Sequence, residues 1–182
     1  MVSILWRSSR LESAEHCLLT QTSAGHRLTG VVVLPIEGQP ALIRYTVDVD
    51  GGWRSRAAEL NVAVGPDERR LLLATDGGGR WHVDGSPAGR LDGCLDVDLG
   101  FTPSTNTLPI RRLGLGVGER AQLRAAWVRF PEFTVEPLDQ TYERVSGGLW
   151  RYRSGTFAAD LEVDASGVVS RYGEVWTAIA RG

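Results

Sequence analysis

The residues best equipped for chemistry lie between Leu91 and Leu113, in the run LDGCLDVDLGFTPSTNTLPIRRL. On an extended strand, Cys94, Asp96 and Asp98 share one face while Leu95, Val97 and Leu99 share the other. Two aspartates on one face, ~7 Å apart along the strand, repel each other unless cations or hydrogen-bond donors sit opposite. Arg111 and Arg112 follow a predicted polar turn of Thr102, Ser104, Thr105, Asn106 and Thr107, and either arginine can supply that compensation. Two readings stay open. One is a partly buried Asp–Arg network that fixes the turn. The other is the polar end of a cavity, where Asp, Asn and Arg hydrogen-bond a sugar or a phosphate. The same spacing is also compatible with Asp96 and Asp98 acting as an acid and base pair on a sugar or an ester.

Other chemistries find little material. No serine sits on a glycine-flanked nucleophile elbow, and Ser86 in Asp84-Gly85-Ser86-Pro87 belongs to an ordinary turn. His16, His26 and His82 are scattered without metal-ligand spacing. Cys17 and Cys94 lie far apart, which predicts two buried thiols rather than a redox pair or a zinc knuckle. The glycines of Gly114-Leu115-Gly116-Val117-Gly118 alternate as in a small-residue strand at a close backbone crossing, not as a phosphate loop. The formal charge is −2 and the positive side chains are all arginine. No concentrated basic field marks nucleic acid or an anionic membrane as the main partner. Six tryptophans are a generous supply for 182 residues. Trp53 and Trp81 stand beside glycine turns and the arginines Arg54 and Arg80, where an indole can stack on a sugar ring or a guanidinium. Most tryptophans nevertheless belong to cores.

The elements that must position these residues are strands. From Leu42 to Asp50, Ile43, Tyr45, Val47 and Val49 alternate with Arg44, Thr46, Asp48 and Asp50, and Asp50-Gly51-Gly52 closes the run. Arg54 to Val64 alternates again and ends at Gly65-Pro66-Asp67. Arg69 to Thr75 and Arg80 to Asp84 read as a hairpin across Asp76-Gly77-Gly78-Gly79. Phe157, Ala159, Leu161 and Val163 alternate with Ala158, Asp160, Glu162 and Asp164, and a turn at Asp164 to Gly167 leads to a strand over Val168 to Tyr172. Three stretches fit a helix as well as a strand: Glu12 to Leu19, Leu123 to Phe130 (for which a strand is preferred), and Leu138 to Val145. Short strands with glycine-rich turns point to a mainly β chain, as a sandwich, a barrel or a rolled sheet. A length of 182 residues fits one domain over 1–182. Met1 to Arg10 has no long apolar segment behind its Trp6, Arg7 and Arg10, and nothing later approaches a membrane span. A cytoplasmic protein without integral membrane association is the expectation.

With these residues in view, the chain resembles a bacterial family of unknown function catalogued as glycolipid-binding. The resemblance rests on YTVDVDGGWRSR from Tyr45 to Arg56, on DGGGRW from Asp76 to Trp81, and above all on the run from Leu91 to Leu113. Ala126-Trp127-Val128 followed by Pro131, then Gln140-Thr141-Tyr142, Tyr152 and Phe157, extend it over nearly the whole chain. It implies a single-domain antiparallel rolled sheet or partly open β-barrel with little helix, similar to lipoprotein carrier folds. It also implies an interior for an amphipathic ligand, with no reaction and no cofactor. On this reading the protein is not an enzyme, and its partner is a small glycolipid-like molecule. Arg54, Asp76, Asp96, Asp98, Asn106 and Arg111 are then candidates for the polar mouth. Tyr45, Trp53, Trp81, Tyr142 and Tyr152 are candidates for the wall. A carboxylate-dependent hydrolase and a protein-interaction module remain the alternatives, with a monomer or weak homodimer expected.

Overall fold

The computed structural model describes residues 1–76 and 78–182. Among these, alternation translates directly into strands: β1 (Val2–Ser8), β2 (Ser13–Thr22), β3 (Gly25–Ile36), β4 (Gln39–Asp50), β5 (Ser55–Val64), β6 (Asp67–Thr75), β7 (Trp81–Val83), β8 (Ser86–Pro87) and β9 (Asp96–Leu99). After the helix α1 (Thr107–Leu113) come β10 (Arg120–Val128), β11 (Val135–Arg144), β12 (Leu149–Ser154), β13 (Phe157–Val163), β14 (Val169–Tyr172) and β15 (Trp176–Arg181). All three stretches of mixed periodicity are strands over most of their length, in β2, β10 and β11. Ile43, Tyr45, Val47 and Val49 are buried on one face of β4, as the alternation requires, while Arg44 on the other is exposed.

One sheet runs through the molecule, in the order β8 to β1, then β15 down to β9. Every neighbouring pair is antiparallel except β9 with β10. The first and last strands therefore meet in the middle, with Leu5 paired to Ala180. The far end curls back toward β5, where Ser55 N donates to Leu95 O at 2.9 Å and Val97 N donates to Ser55 Oγ at 2.9 Å. The result is an open roll rather than a closed barrel.

Two apolar clusters fill the roll. The larger joins Trp6, Tyr45, Trp81, Leu99, Phe101 and Leu108; the smaller joins Ile110, Tyr142, Trp150, Tyr152 and Leu161. Trp6 crosses between the two halves of the sheet by donating from Nε1 to Val169 O at 2.8 Å. Each such side chain, taken from water, contributes ~1.5–3 kcal/mol.

The segment between β9 and β10 departs from expectation. Instead of a polar surface turn, Phe101 to Ile110 is wholly buried, passing through a helical turn at Ser104–Asn106 into α1. Thr102, Ser104, Thr105 and Asn106 lie inside because each finds a partner there, so burial costs them little, whereas Thr107 Oγ1 is buried without a hydrogen-bond partner among the described residues. The glycines after it are not a strand. Gly114, at φ 56°, closes α1 through its N–H to Ile110 O, a conformation that suits glycine. Of the Asp76-Gly77-Gly78-Gly79 turn, Gly77 lies outside the described residues.

Candidate functional site

β9 is buried on both sides, and this decides what its aspartates can do. Val97 and Leu99 join Ala126 and Val128 in the larger core, so Asp96 and Asp98 point the opposite way, beside Ala125 and Trp127 in the parallel ladder. Asp96 is taken up locally. Arg112 of α1 grips it with two bonds, Nε to Oδ1 at 3.0 Å and Nη2 to Oδ2 at 2.5 Å. Burial pushes this carboxyl up, and the guanidinium opposes the rise. The compensating arginine is thus Arg112. Arg111 leaves the other side of α1 and stacks its guanidinium 5.0 Å from the Trp53 ring. The reason is helical geometry, since consecutive residues on a helix point about 100° apart.

Asp98 has no cation partner among the described residues. Gln140 Nε2 donates to its Oδ2 at 2.6 Å and Thr105 lies 3.5 Å from Oδ1. Desolvation outweighs these donors and pushes its pKa up to about 6, with the neighbouring Asp96 adding to the rise. Its remaining exposure is to a groove of about 470 Å³. Asp98, Thr102, Asn106, Ser154 and Arg10 supply the polar part of this groove, and Leu11, Trp127, Phe130, Leu138, Tyr152, Phe157 and Tyr172 the apolar part. Three aromatics form a continuous wall: Tyr152 to Phe157 at 6.0 Å, Tyr152 to Tyr172 at 6.1 Å, and Phe157 stacked on Tyr172 at 6.2 Å. Asn106 is oriented by Tyr142, whose hydroxyl donates to Oδ1 at 2.8 Å, and by its own Nδ2 bond to Pro103 O.

Of the eleven candidates, the structure brings Asp98, Asn106 and Tyr152 to this groove, with Tyr142 directly behind Asn106. Asp96 lies next to Asp98 but does not line the space. Asp76 and Trp81 border a different hollow of about 380 Å³, where Asp76 pairs with Arg80 at 2.8 Å and holds the hairpin turn. Those hydrogen bonds, the Arg80 side chain first, draw its pKa down to about 2. Trp81 is buried, with Nε1 donating to Cys94 O. Trp53 stacks on His26 at 4.0 Å between ring centres. Arg54 is exposed, and its backbone closes the turn at Asp50. Tyr45 is a core residue bonded to Glu15 and to Ser104. Larger hollows of about 600 and 610 Å³ over β10 to β12 are bordered mainly by polar side chains such as Gln122, Thr141 and Arg153, and lack an apolar wall.

Sequence reasoning missed Glu15, which is fully buried on β2, and the groove residues Arg10, Leu11, Phe130, Leu138 and Tyr172. Glu15 did carry a signal, because Ser13, Glu15 and Cys17 occupy the inward parity of β2. Among the described residues no cluster of His, Cys, Asp and Glu could hold a metal ion, and no helix is long and apolar enough to cross a membrane.

Fold and groove together define the class: an open rolled β-sheet protein with a largely apolar groove that has a polar end, lined by residues of β9 to β15 and of the β1–β2 connection. The family described as "Putative glycolipid-binding" matches residues 3–178, and the chain belongs to it. Among solved structures it is similar to a DUF1089 family protein from Pseudomonas aeruginosa, determined at 1.80 Å resolution. The two share 34% sequence identity, over 91% of each chain, with a TM-score of 0.82. No curated protein matches the chain.

Proposed function

We propose that this protein binds an amphipathic molecule with a hydroxyl-rich head group, of the glycolipid kind, without transforming it. The observation that carries the reading is the meeting of an aromatic wall and a polar floor in one groove of about 470 Å³. An acyl chain lies against Trp127, Phe130, Leu138 and Phe157. The head group meets Asp98 and Asn106, both held in place from behind by Gln140 and Tyr142. Burying a short chain supplies ~0.8 kcal/mol per CH₂ before ordering costs are subtracted. The arrangement supports binding over two-carboxylate hydrolysis, because Arg112 occupies Asp96 and leaves Asp98 as the one carboxylate lining the groove.

The test is a titration with octyl glucoside below its micelle concentration, followed by tryptophan fluorescence, beside native mass spectrometry of the purified protein. Saturable binding that Leu138→Arg abolishes supports the reading. The absence of binding to this and to a panel of longer glycolipids, with no lipid passenger in the mass spectrum, refutes it.

A further inference from the structure

Behind the groove wall, four side chains form a closed circuit of oxygen contacts. Glu15 Oε1 meets the Tyr45 hydroxyl, which meets Ser104 Oγ at 2.7 Å. Ser104 Oγ meets Thr102 Oγ1 at 2.9 Å, and Thr102 Oγ1 returns to Glu15 Oε1 at 2.7 Å. Each of these contacts needs one hydrogen between its oxygens, whereas the three hydroxyls carry one apiece. An ionised Glu15 therefore leaves one contact empty, and two oxygens face each other without a hydrogen. A protonated Glu15 supplies the fourth, so that every member donates once and accepts once around the circuit.

A second observation agrees with the count. Glu15 Oε2 is buried and has no hydrogen-bond partner among the described residues. Leaving half of a carboxylate so stranded is costly, whereas the carbonyl oxygen of a neutral acid tolerates it far better. The surroundings supply no counter-charge. Glu15 is flanked in register by Trp6 on β1 and Val32 on β3, and it makes no ion pair among the described residues. The other titratable groups facing it are Cys17 on its own strand and Tyr45 on β4, and burial pushes both up, so they stay neutral. Burial likewise pushes Glu15 up to about 7, against the bonds from Tyr45 and Thr102.

Thr102 is the member that reaches outward, since it also lines the groove together with Asp98 and Arg10. We propose that Glu15 rests as a neutral acid in this circuit, and that Thr102 links its protonation to occupancy of the groove. The direction follows from the donors. An ionised Glu15 holds the Thr102 hydrogen inward through a charge-assisted bond. Turning that hydrogen to an acceptor oxygen on the ligand takes one hydrogen from the circuit in either state, a neutral bond where Glu15 is protonated and the stronger charge-assisted one where it is ionised, so an acid that loses this donor keeps its own proton more firmly. Ligand binding and proton uptake therefore favour each other, and affinity falls as pH rises through the Glu15 titration.

This linkage rests on the binding reading above, whereas the neutral acid does not, and the experiment separates the two. Infrared spectra of the ligand-free protein at pH 6 are expected to show a protonated-carboxyl band that persists in Asp98→Asn and is lost from that background when Glu15→Gln is added. Its absence from Asp98→Asn, or its survival in the double variant, overturns the neutral acid. Octyl glucoside titrations at pH 6 and pH 8 are expected to show weaker binding at the higher pH. The share due to Glu15 is at most tenfold per pH unit for one coupled proton. Asp98 titrates in both proteins, so that share is the difference between native protein and Glu15→Gln. Thr102→Val removes the groove-facing hydroxyl together with the donor on Glu15 Oε1, whose loss favours the neutral acid, and it is expected to lose the same share while keeping the band. An identical pH dependence in all three proteins overturns the linkage. Absence of binding at both pH values overturns it too, along with the groove reading, and leaves the neutral acid to be decided by the band alone.

Discussion

Replacing Arg112 by Met removes the guanidinium that grips Asp96 while keeping most of its stem. The Asp96 side chain is 2% exposed and that of Arg112 15%, so the pair is dry. A dry ion pair contributes little net stability over an apolar substitute, yet breaking one half strands a buried charge at ~3–5 kcal/mol. Asp96 has one escape, which is to take a proton. Burial already drives its pKa upward, and Arg112 is the counterweight, so the variant's folded pKa rises further above that of the unfolded chain. A group raised in this way is stabilised relative to the unfolded chain at low pH. That contribution is lost as pH climbs from the unfolded pKa, about 3.9, through the folded one, at up to ~1.4 kcal/mol per pH unit. The deficit of Arg112→Met relative to native protein should therefore be small at pH 5 and reach a few kcal/mol at pH 8. Urea unfolding at pH 5, 6.5 and 8 measures it. Asp96→Asn combined with Arg112→Met should restore much of the loss at pH 8, because no charge remains to strand. A deficit under ~1 kcal/mol at pH 8, or one that does not change with pH, would refute the reasoning.

Two further expectations concern the interior. A Cβ added at Gly30 would stand 2.1 Å from Cζ of Tyr45 on the neighbouring strand, so Gly30→Ala should destabilise by ~1–3 kcal/mol or more; an unchanged melting temperature would show that the Tyr45 ring can move aside. Glu15 is pushed from its ordinary 4.5 up to about 7 and Asp98 from 3.8 up to about 6, in both cases chiefly by desolvation. Folded values above unfolded ones mean stability that is full below pH 4 and declines toward pH 7, by up to ~3 kcal/mol for each group. Urea midpoints at pH 5 and 7.5 should show the protein more stable at the lower pH, and a higher midpoint at pH 7.5 would count against both assignments.

The strands were legible because half-buried antiparallel strands write their two faces into the sequence at period two. Even the stretches of mixed periodicity, at Glu12 to Leu19 and Leu138 to Val145, obey the rule once their neighbours are known. The order of the strands was less so. Pairs joined by turns follow from proximity along the chain, but the union of β1 with β15 joins residues from opposite termini and leaves no local mark. The buried connection from Phe101 to Ile110 was illegible for a different reason. Thr102, Ser104, Thr105, Asn106 and Thr107 have the composition of a surface turn, and only the partners of the first four explain their burial. Those partners, Glu15, Asp98, Leu99 N and Tyr142, are scattered over β2, β9 and β11. Arg111 and Arg112 could not be told apart from sequence, because both follow the aspartates at similar spacing and the helix that separates their directions was not foreseen.

The central run then divides its labour by direction rather than by residue type. Within three residues of β9, Asp96 meets an arginine and Asp98 an amide, so one carboxyl is neutralised in place and the other keeps an oxygen edge toward open space. The buried connection repeats the pattern. Thr105 supports Asp98 from within, while Thr102 and Asn106 each turn one polar atom inward, to Glu15 and Tyr142, and also line the groove. A scaffold network and a ligand-facing one need not compete for this segment. Asp98, Thr102 and Asn106 are each held by an inward partner, which lowers the ordering cost of binding. The same contacts tie the groove to Glu15, which lies behind its wall, and to Asp98, whose oxygen edge faces it.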